Sequence, residues 1–217
     1  MRRRPIVLGL TGSIAMGKSE AAKMFRRFGV PVFDADAEVH SMLDQGGEAV
    51  GAVSKAFPSA IRNGAVDRRS LGDRVFGRAE EVRKLETILH PLVGKARNRF
   101  VRLAGASRAA VVVMDVPLLF ETGGSGRYHA VVVVSAPHFV QRSRALKRPG
   151  MSEKKLSSII EKQISDQCKR RRADFVVLSG LGKRNAYISV SRILRLVRSG
   201  AFPRGKIGRR GLKKCVR

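Results

Sequence analysis

Short, continuously apolar runs alternate with longer amphipathic ones along this chain. Ile6–Leu10, Val30–Phe33, Ala109–Met114, Ala130–Ser135 and Phe175–Leu178 read as strands. They are rich in valine and lack polar alternation, as strands covered on both faces do. Between them lie segments with helical spacing. Ser19–Phe28 is one and Ala37–Leu43 another. Ala79–Leu103 carries Val82, Leu85, Leu89, Val93, Ala96, Phe100 and Leu103 at steps of three and four. Pro91 interrupts it and predicts a kink or break after His90, because proline removes an amide donor and crowds the preceding turn. Ser152 is placed to cap a helix carrying Leu156, Ile159, Ile160 and Ile164, after a Pro149-Gly150 stop. A last helix, Asn185–Val197, shows Val190, Ile193, Leu194 and Val197 on one face. Strands alternating with helices predict an α/β fold, a parallel sheet with helices on both faces.

Two stretches carry no strand pattern. One runs from Asp34 to Val111 and reads as a helical subdomain over one end of the sheet. The other, Pro137 to Arg172, is rich in cations and reads as two helices with a turn, the pattern of a mobile lid. The division is then a core of residues 1–36, 106–136 and 173–200, a helical subdomain 37–105, a lid 137–172 and a basic tail 201–217 expected to be disordered.

The chemistry starts where the first strand meets the first helix. Gly12-Ser13-Ile14-Ala15-Met16-Gly17-Lys18-Ser19 fits G-x-x-x-x-G-K-[ST], the P-loop pattern. A strand, a glycine loop and a helix N-terminus converge backbone N–H groups on one point, which attracts phosphate. Lys18 would reach the β- and γ-phosphates of ATP, and the Ser19 hydroxyl would ligate Mg²⁺. Strand ends at Thr11, Asp34, Asp115, Ser135 and Ser179 fall on the side where open α/β sheets bind ligands.

Charge narrows the partners. The 217 residues hold 44 Lys and Arg against 17 Asp and Glu, a net +27, which attracts anions. Seven of the cations, and no acid, lie between Arg204 and Arg217. Such a run is either a solvated tail or a non-specific polyanion binder. Apolar residues make up 43% of the chain, yet no window nears the ~18 consecutive apolar residues of a membrane span. Arg2-Arg3-Arg4 before Ile6–Leu10 resembles a signal peptide too short to act as one, so a cytoplasmic, monomeric protein is expected. Two cysteines, Cys168 and Cys215, make no disulfide framework, and no Cys/His cluster has zinc spacing.

Asp34-Ala35-Asp36 follows the second strand. Either one aspartate faces a cleft as a proton acceptor while the other caps the next helix, or both are caps or surface charges. His40 shares a helix face with Asp36. Val111–Asp115 has the form of a Walker B strand, so Asp115 is a candidate Mg²⁺ ligand. Pro117, Leu118, Leu119 and Phe120 read as core or as a binding-loop wall, and Glu121 as part of that loop or a surface charge. Arg142, Arg144, Lys147 and Arg148 form either a triphosphate clamp or a solvated face, and Lys169–Arg172 is equally open.

Taken in order, these segments resemble the dephospho-coenzyme A kinases. The resemblance runs from about Ile6 to Val197. It rests on Gly9-Leu10-Thr11-Gly12 with the P-loop, Phe33-Asp34-Ala35-Asp36 with His40, Leu89-His90-Pro91-Leu92-Val93, Asp115-Val116-Pro117-Leu118-Leu119-Phe120-Glu121, and Lys169-Arg170 with Ala173-Asp174. It implies a three-layer α/β/α P-loop core with a five-stranded parallel sheet, an inserted helical coenzyme-binding domain and a helical lid. It implies transfer of the γ-phosphate of ATP to the ribose 3′-hydroxyl of dephospho-coenzyme A. By the match, Asp36 is the base, Lys18 a phosphate ligand and Ser19 with Asp115 the metal ligands. Gly12, Ala15, Met16, Gly17, Glu20, Arg144 and Arg148 would contact ATP, and Arg142 would act in the lid. Asp34, His40, His90, Pro117, Leu118, Leu119 and Glu121 would line the acceptor side. Ser13, Ala15, Met16, Glu20, Lys162-Gln163 and Leu178 depart from the usual pattern. Another P-loop nucleoside or nucleotide kinase, or a nucleic-acid-binding P-loop ATPase, are the rival readings. The scarcity of aromatics, ten Phe and two Tyr, weighs against the latter.

Overall fold

A computed structural model describes residues 4–201, so the reading of residues 202–217 as a disordered tail lies outside the described residues, as do Arg2, Arg3 and Cys215. Two compact units separate. One comprises the chain up to Val32 and from Ala104 onward; the other is Phe33–Leu103.

The first unit is built on a sheet with strand order β2-β5-β1-β6-β7. Its strands are β1 (Ile6–Thr11), β2 (Val32–Asp34), β5 (Val111–Asp115), β6 (Ala130–Ser135) and β7 (Phe175–Leu178). β1 runs parallel to both β5 and β6, with Leu8 opposite Val113 and Ala130, and β6 runs parallel to β7. Side chains on β6 alternate between two cores, as the pleat requires. Ala130, Val132 and Val134 pack with Phe25 of α1 (Lys18–Arg27) and with Val190, Ile193 and Leu194 of α9 (Lys183–Arg198). Val131 and Val133 pack on the opposite side with Leu119 and Phe120. This double coverage is why the strands carry no polar alternation. The remaining helices of this unit are α6 (His138–Leu146), α7 (Glu153–Glu161) and α8 (Asp166–Arg172).

β2 begins two residues later than its apolar run suggests. Gly29 takes φ +72° and the Val30 N–H donates to Phe25 O at 3.1 Å, so Val30 belongs to the turn that ends α1. Pro31 then offers its carbonyl to the Val113 N–H at 2.9 Å.

The second unit holds α2 (Ala35–Leu43), α3 (Val50–Ala56), α4 (Arg68–Val75) and most of α5 (Ala79–Ala106). Met42, Leu43, Val53, Phe57, Val66 and Leu71 form its buried core. Two sequence expectations fail here. The stretch is not free of strands: β3 (Ile61–Arg62) and β4 (Ala65–Val66) form a hairpin. Asn63 and Gly64 both take positive φ, 49° and 73°, the two-residue turn that matches strand twist. Of the kink or break expected at Pro91, the break does not occur: α5 runs as one 28-residue helix. Proline removes a single hydrogen bond, whereas Leu85, Ile88 and Leu89 before it and Leu92, Val93 and Ala96 after it all pack on the same core. That shared burial carries the helix through. Among the described residues no helix is long and apolar enough to cross a membrane.

Candidate active site

The chain leaves β1 at Thr11 and re-enters regular structure at Lys18. Gly12 passes so close under β6 that a Cβ there would meet Val134 O at 2.7 Å. Gly17 takes φ +90°, a left-handed conformation that aims the chain into α1. No side chain caps α1, so its first-turn N–H groups keep their donors for an anion. Ala15 is also left-handed, at φ +58°. Its methyl is buried against Ala145 and Leu156.

Lys18 lies at the mouth of this loop and its ammonium pairs with the Asp115 carboxylate, which is almost fully buried at the end of β5. The Asp115 strand end continues into a loop that is tied back to β1. Val116 N–H donates to Leu10 O at 3.0 Å, and the Thr11 hydroxyl donates to Pro117 O at 2.9 Å. Among the expected acceptor-side residues of this loop, Leu118 is exposed and Pro117 half-buried. Leu119 is fully buried in the core, so its side chain lines no open surface.

Glu121 is no surface charge. Its Oε1 accepts the Ile164 N–H at 3.0 Å and lies 2.8 Å from Lys169 Nζ. Lys169 is completely buried, so the second cationic run includes an internal ion pair rather than only a solvated face. The approach is ionic but off the axis of a hydrogen bond. Nearby, the Ser135 hydroxyl donates to Asp166 Oδ2 at 2.6 Å.

The cations of residues 137–172 divide. Arg144 Nη1 and Nη2 donate to Ser179 Oγ and Ser179 O, both at 2.9 Å, and the Ser179 hydroxyl donates to Met16 O at 2.6 Å. Arg144 is thereby fixed beside Gly17. Arg142 instead forms a fork with Glu153 across α6 and α7, and Arg148 is exposed. Glu20 pairs with Lys23 at 2.9 Å and with Lys183 at 3.5 Å. Its hydrogen bond to Lys23 keeps the carboxyl below its ordinary range. Two lysines thus neutralise the negative charge of Glu20 on the surface.

Within the second unit, Asp34 Oδ1 accepts the Ala37 N–H at 3.1 Å and caps α2. Asp36 stands exposed in the first turn of that helix, and His40 is exposed in its last turn. His90 is exposed on α5, beside Pro91.

The donor set at the loop suits Mg²⁺. Ser19 and Asp115 offer hard oxygens, and a magnesium ion takes few protein ligands because phosphate and water supply the rest. Among the described residues no group of three or more His, Cys, Asp or Glu could enclose a metal. Sequence reasoning overlooked Gln141, Gln163 and Ser179 as parts of the P-loop's surroundings. Ser179 followed a strand and Gln163 stood in a pair singled out by the resemblance, so both carried a faint signal. Gln141 carried none.

Comparison with known proteins places these features in one family. Residues 6–182 match the model of the dephospho-CoA kinase family. A dephospho-CoA kinase of Rhodospirillum rubrum is 49% identical over 204 residues, covering 93% of this chain and 97% of that protein. One of Bradyrhizobium diazoefficiens is 50% identical over 188 residues, covering 87% and 94%. Among solved structures, TT1252 from Thermus thermophilus superposes with a TM-score of 0.75 at 31% identity, over 89% of this chain and 97% of that one. The dephospho-CoA kinase from Campylobacter jejuni shares the fold, with a TM-score of 0.61 at 20% identity over 90% and 98%. With the P-loop, the acidic strand end and the loop behind it all inside the matched span, the chain belongs to the dephospho-CoA kinase family.

Proposed function

We propose that this protein transfers the γ-phosphoryl group of ATP to the 3′-hydroxyl of dephospho-coenzyme A, giving coenzyme A and ADP. The observation that carries the reading is the joint between phosphate loop and acidic loop. Lys18 pairs with Asp115, and Thr11 holds the Pro117 carbonyl, so one rigid strand end serves both.

In this reading the backbone N–H groups of residues 12–19 bind the β- and γ-phosphates. Lys18 exchanges the Asp115 carboxylate for phosphate oxygens. Arg144, already beside Gly17, is better placed than Arg142 to meet the charge that spreads over the transferring group. Ser19 and Asp115 would hold Mg²⁺, which when bound neutralises charge on the β- and γ-oxygens. Asp36 accepts the proton of the attacking hydroxyl. Asp34 caps α2 and so fixes the first turn on which Asp36 stands. His40, His90 and the Pro117–Leu118 segment contact the acceptor. Phosphoryl transfer asks little covalent chemistry of a protein, so positioning and charge do the work. The net charge of +27 favours two polyanionic substrates.

The test is ADP release by the purified protein with Mg²⁺ and ATP, with and without dephospho-coenzyme A. Release is expected to depend on the acceptor, to yield coenzyme A, and to vanish in Lys18→Ala. Release stimulated by RNA instead, or unchanged turnover in Lys18→Ala, would overturn the assignment.

A further inference from the structure

Both peptide groups of Ile14 are taken by lid side chains. The Gln141 amide on α6 donates to Ile14 O at 2.9 Å. The Ile14 N–H donates to Gln163 Oε1, just past α7, at 3.1 Å. The chemistry fixes each amide's orientation, since a carbonyl can only accept and an N–H can only donate. Gln141 is buried, and burying an amide in such a place is costly unless it is bonded. Apolar packing follows the same path: Ile14 and Ala15 sit against Ala145, Leu146, Met151, Leu156 and Ile160 of the lid.

Ala15 gives these bonds a purpose. A left-handed alanine is disfavoured and persists only where its surroundings over-determine it. The next residue is pinned as well, with Met16 O accepting from Ser179 and Met16 Sδ from the Ala136 N–H. In a loop where glycine would hold this shape without help, the lid supplies the restraint.

We infer that Gln141 and Gln163 are positioning residues for the phosphate cradle, a two-sided clasp that keeps the Ile14–Ala15 turn in its binding shape and makes that shape depend on the lid. Neither side chain is assigned contact with phosphate. Both act through the backbone of Ile14. The inference rests on the kinase reading only in taking ATP as the ligand.

The experiment compares Gln163→Met, Gln163→Glu and Gln141→Met in the full chain. It reads residue-resolved amide hydrogen exchange at Ile14 and steady-state kinetics. In Gln163→Met, Ile14 exchange is expected to quicken about 10-fold and the KM for ATP to rise about 5- to 10-fold, the scale of one lost hydrogen bond. The value of kcat and the KM for dephospho-coenzyme A should each stay within about twofold, because the bond acts on the ATP cradle alone. Gln163→Glu should keep Ile14 exchange slow, since a carboxylate still accepts, whatever its charge does to ATP affinity. Gln141→Met should raise the KM for ATP without quickening Ile14 exchange to the same extent. Equal exchange in Gln163→Met and Gln163→Glu would overturn the clasp, as would an unchanged KM for ATP in Gln163→Met. If buried Gln141→Met does not fold, the half-buried Gln163 pair decides alone. Wild-type protein that releases no ADP with acceptor would overturn the functional reading, and the exchange comparison would then decide the clasp by itself.

Discussion

The two units hold their polar side chains in different ways. In the unit built on the sheet, polar groups reach across long stretches of sequence to backbone atoms. Thr11 reaches Pro117, Gln163 reaches Ile14, Ser179 reaches Met16 and Glu121 reaches Ile164. In the unit of residues 33–103 most polar contacts are local. Asp34 caps Ala37, Asp67 caps Ser70 and Arg69, and Thr87 bonds Arg83 one turn away. Its cohesion comes from one apolar cluster. Long-range polar ties cost conformational entropy and specify geometry. Their concentration around residues 12–19 marks where this molecule requires a fixed shape.

Asp36 is where that comparison is most open to being broken. It sits in the loosely tied unit, exposed, yet it is the proposed base. Asp36→Asn should lower kcat about 10²- to 10⁴-fold while ATP binding changes little, the range of a positioned general base. Normal turnover would move the base elsewhere, with Asp34 next.

A buried ion pair sharpens the comparison. Lys169→Met strands the Glu121 carboxylate in the core and should destabilise the sheet-based unit by about 3–5 kcal/mol. The double variant Lys169→Met with Glu121→Gln should recover much of that loss in a denaturant titration. A loss of under 1 kcal/mol in the single variant would show that the tie is ornamental.

The smallest effect belongs to Pro91. Because α5 is continuous there, Pro91→Ala should raise stability by about 1–3 kcal/mol, the usual penalty of proline inside a helix. A fall in the melting temperature would mean that the proline shapes the helix in a way its neighbours need.

How much of this could be read from the sequence follows the same divide. The strands of the sheet and the P-loop were legible because local pattern alone specifies them. The Asn63-Gly64 turn was missed, because it lies between two-residue strands too short to show alternation. Continuity through Pro91 was hidden, since it depends on burial on both sides of the residue. The pairing of Glu121 with Lys169 could not be seen at all. Nothing in a cationic run says which lysine turns inward. Lys18, Asp115 and the glycines announced themselves by motif, whereas the bonds of Gln141 and Gln163 to Ile14 join residues more than a hundred positions apart. Arg142 and Arg144 show the limit clearly: two residues apart on one helix, they differ only in which neighbour each side chain meets.

The register of the sheet also sets an order of events during synthesis. β1 pairs with Val111–Asp115 and with Ala130–Val133, about a hundred residues downstream. At the ribosome's ~5–20 residues per second, its partners emerge roughly 5–20 s after it does. Phe33–Leu103, by contrast, is one uninterrupted segment, so every partner for its internal contacts is made before β5. The most informative stretch of this sequence is thus made well before the strands it pairs with. For that interval the segment that becomes the sheet's centre has neither of its parallel partners.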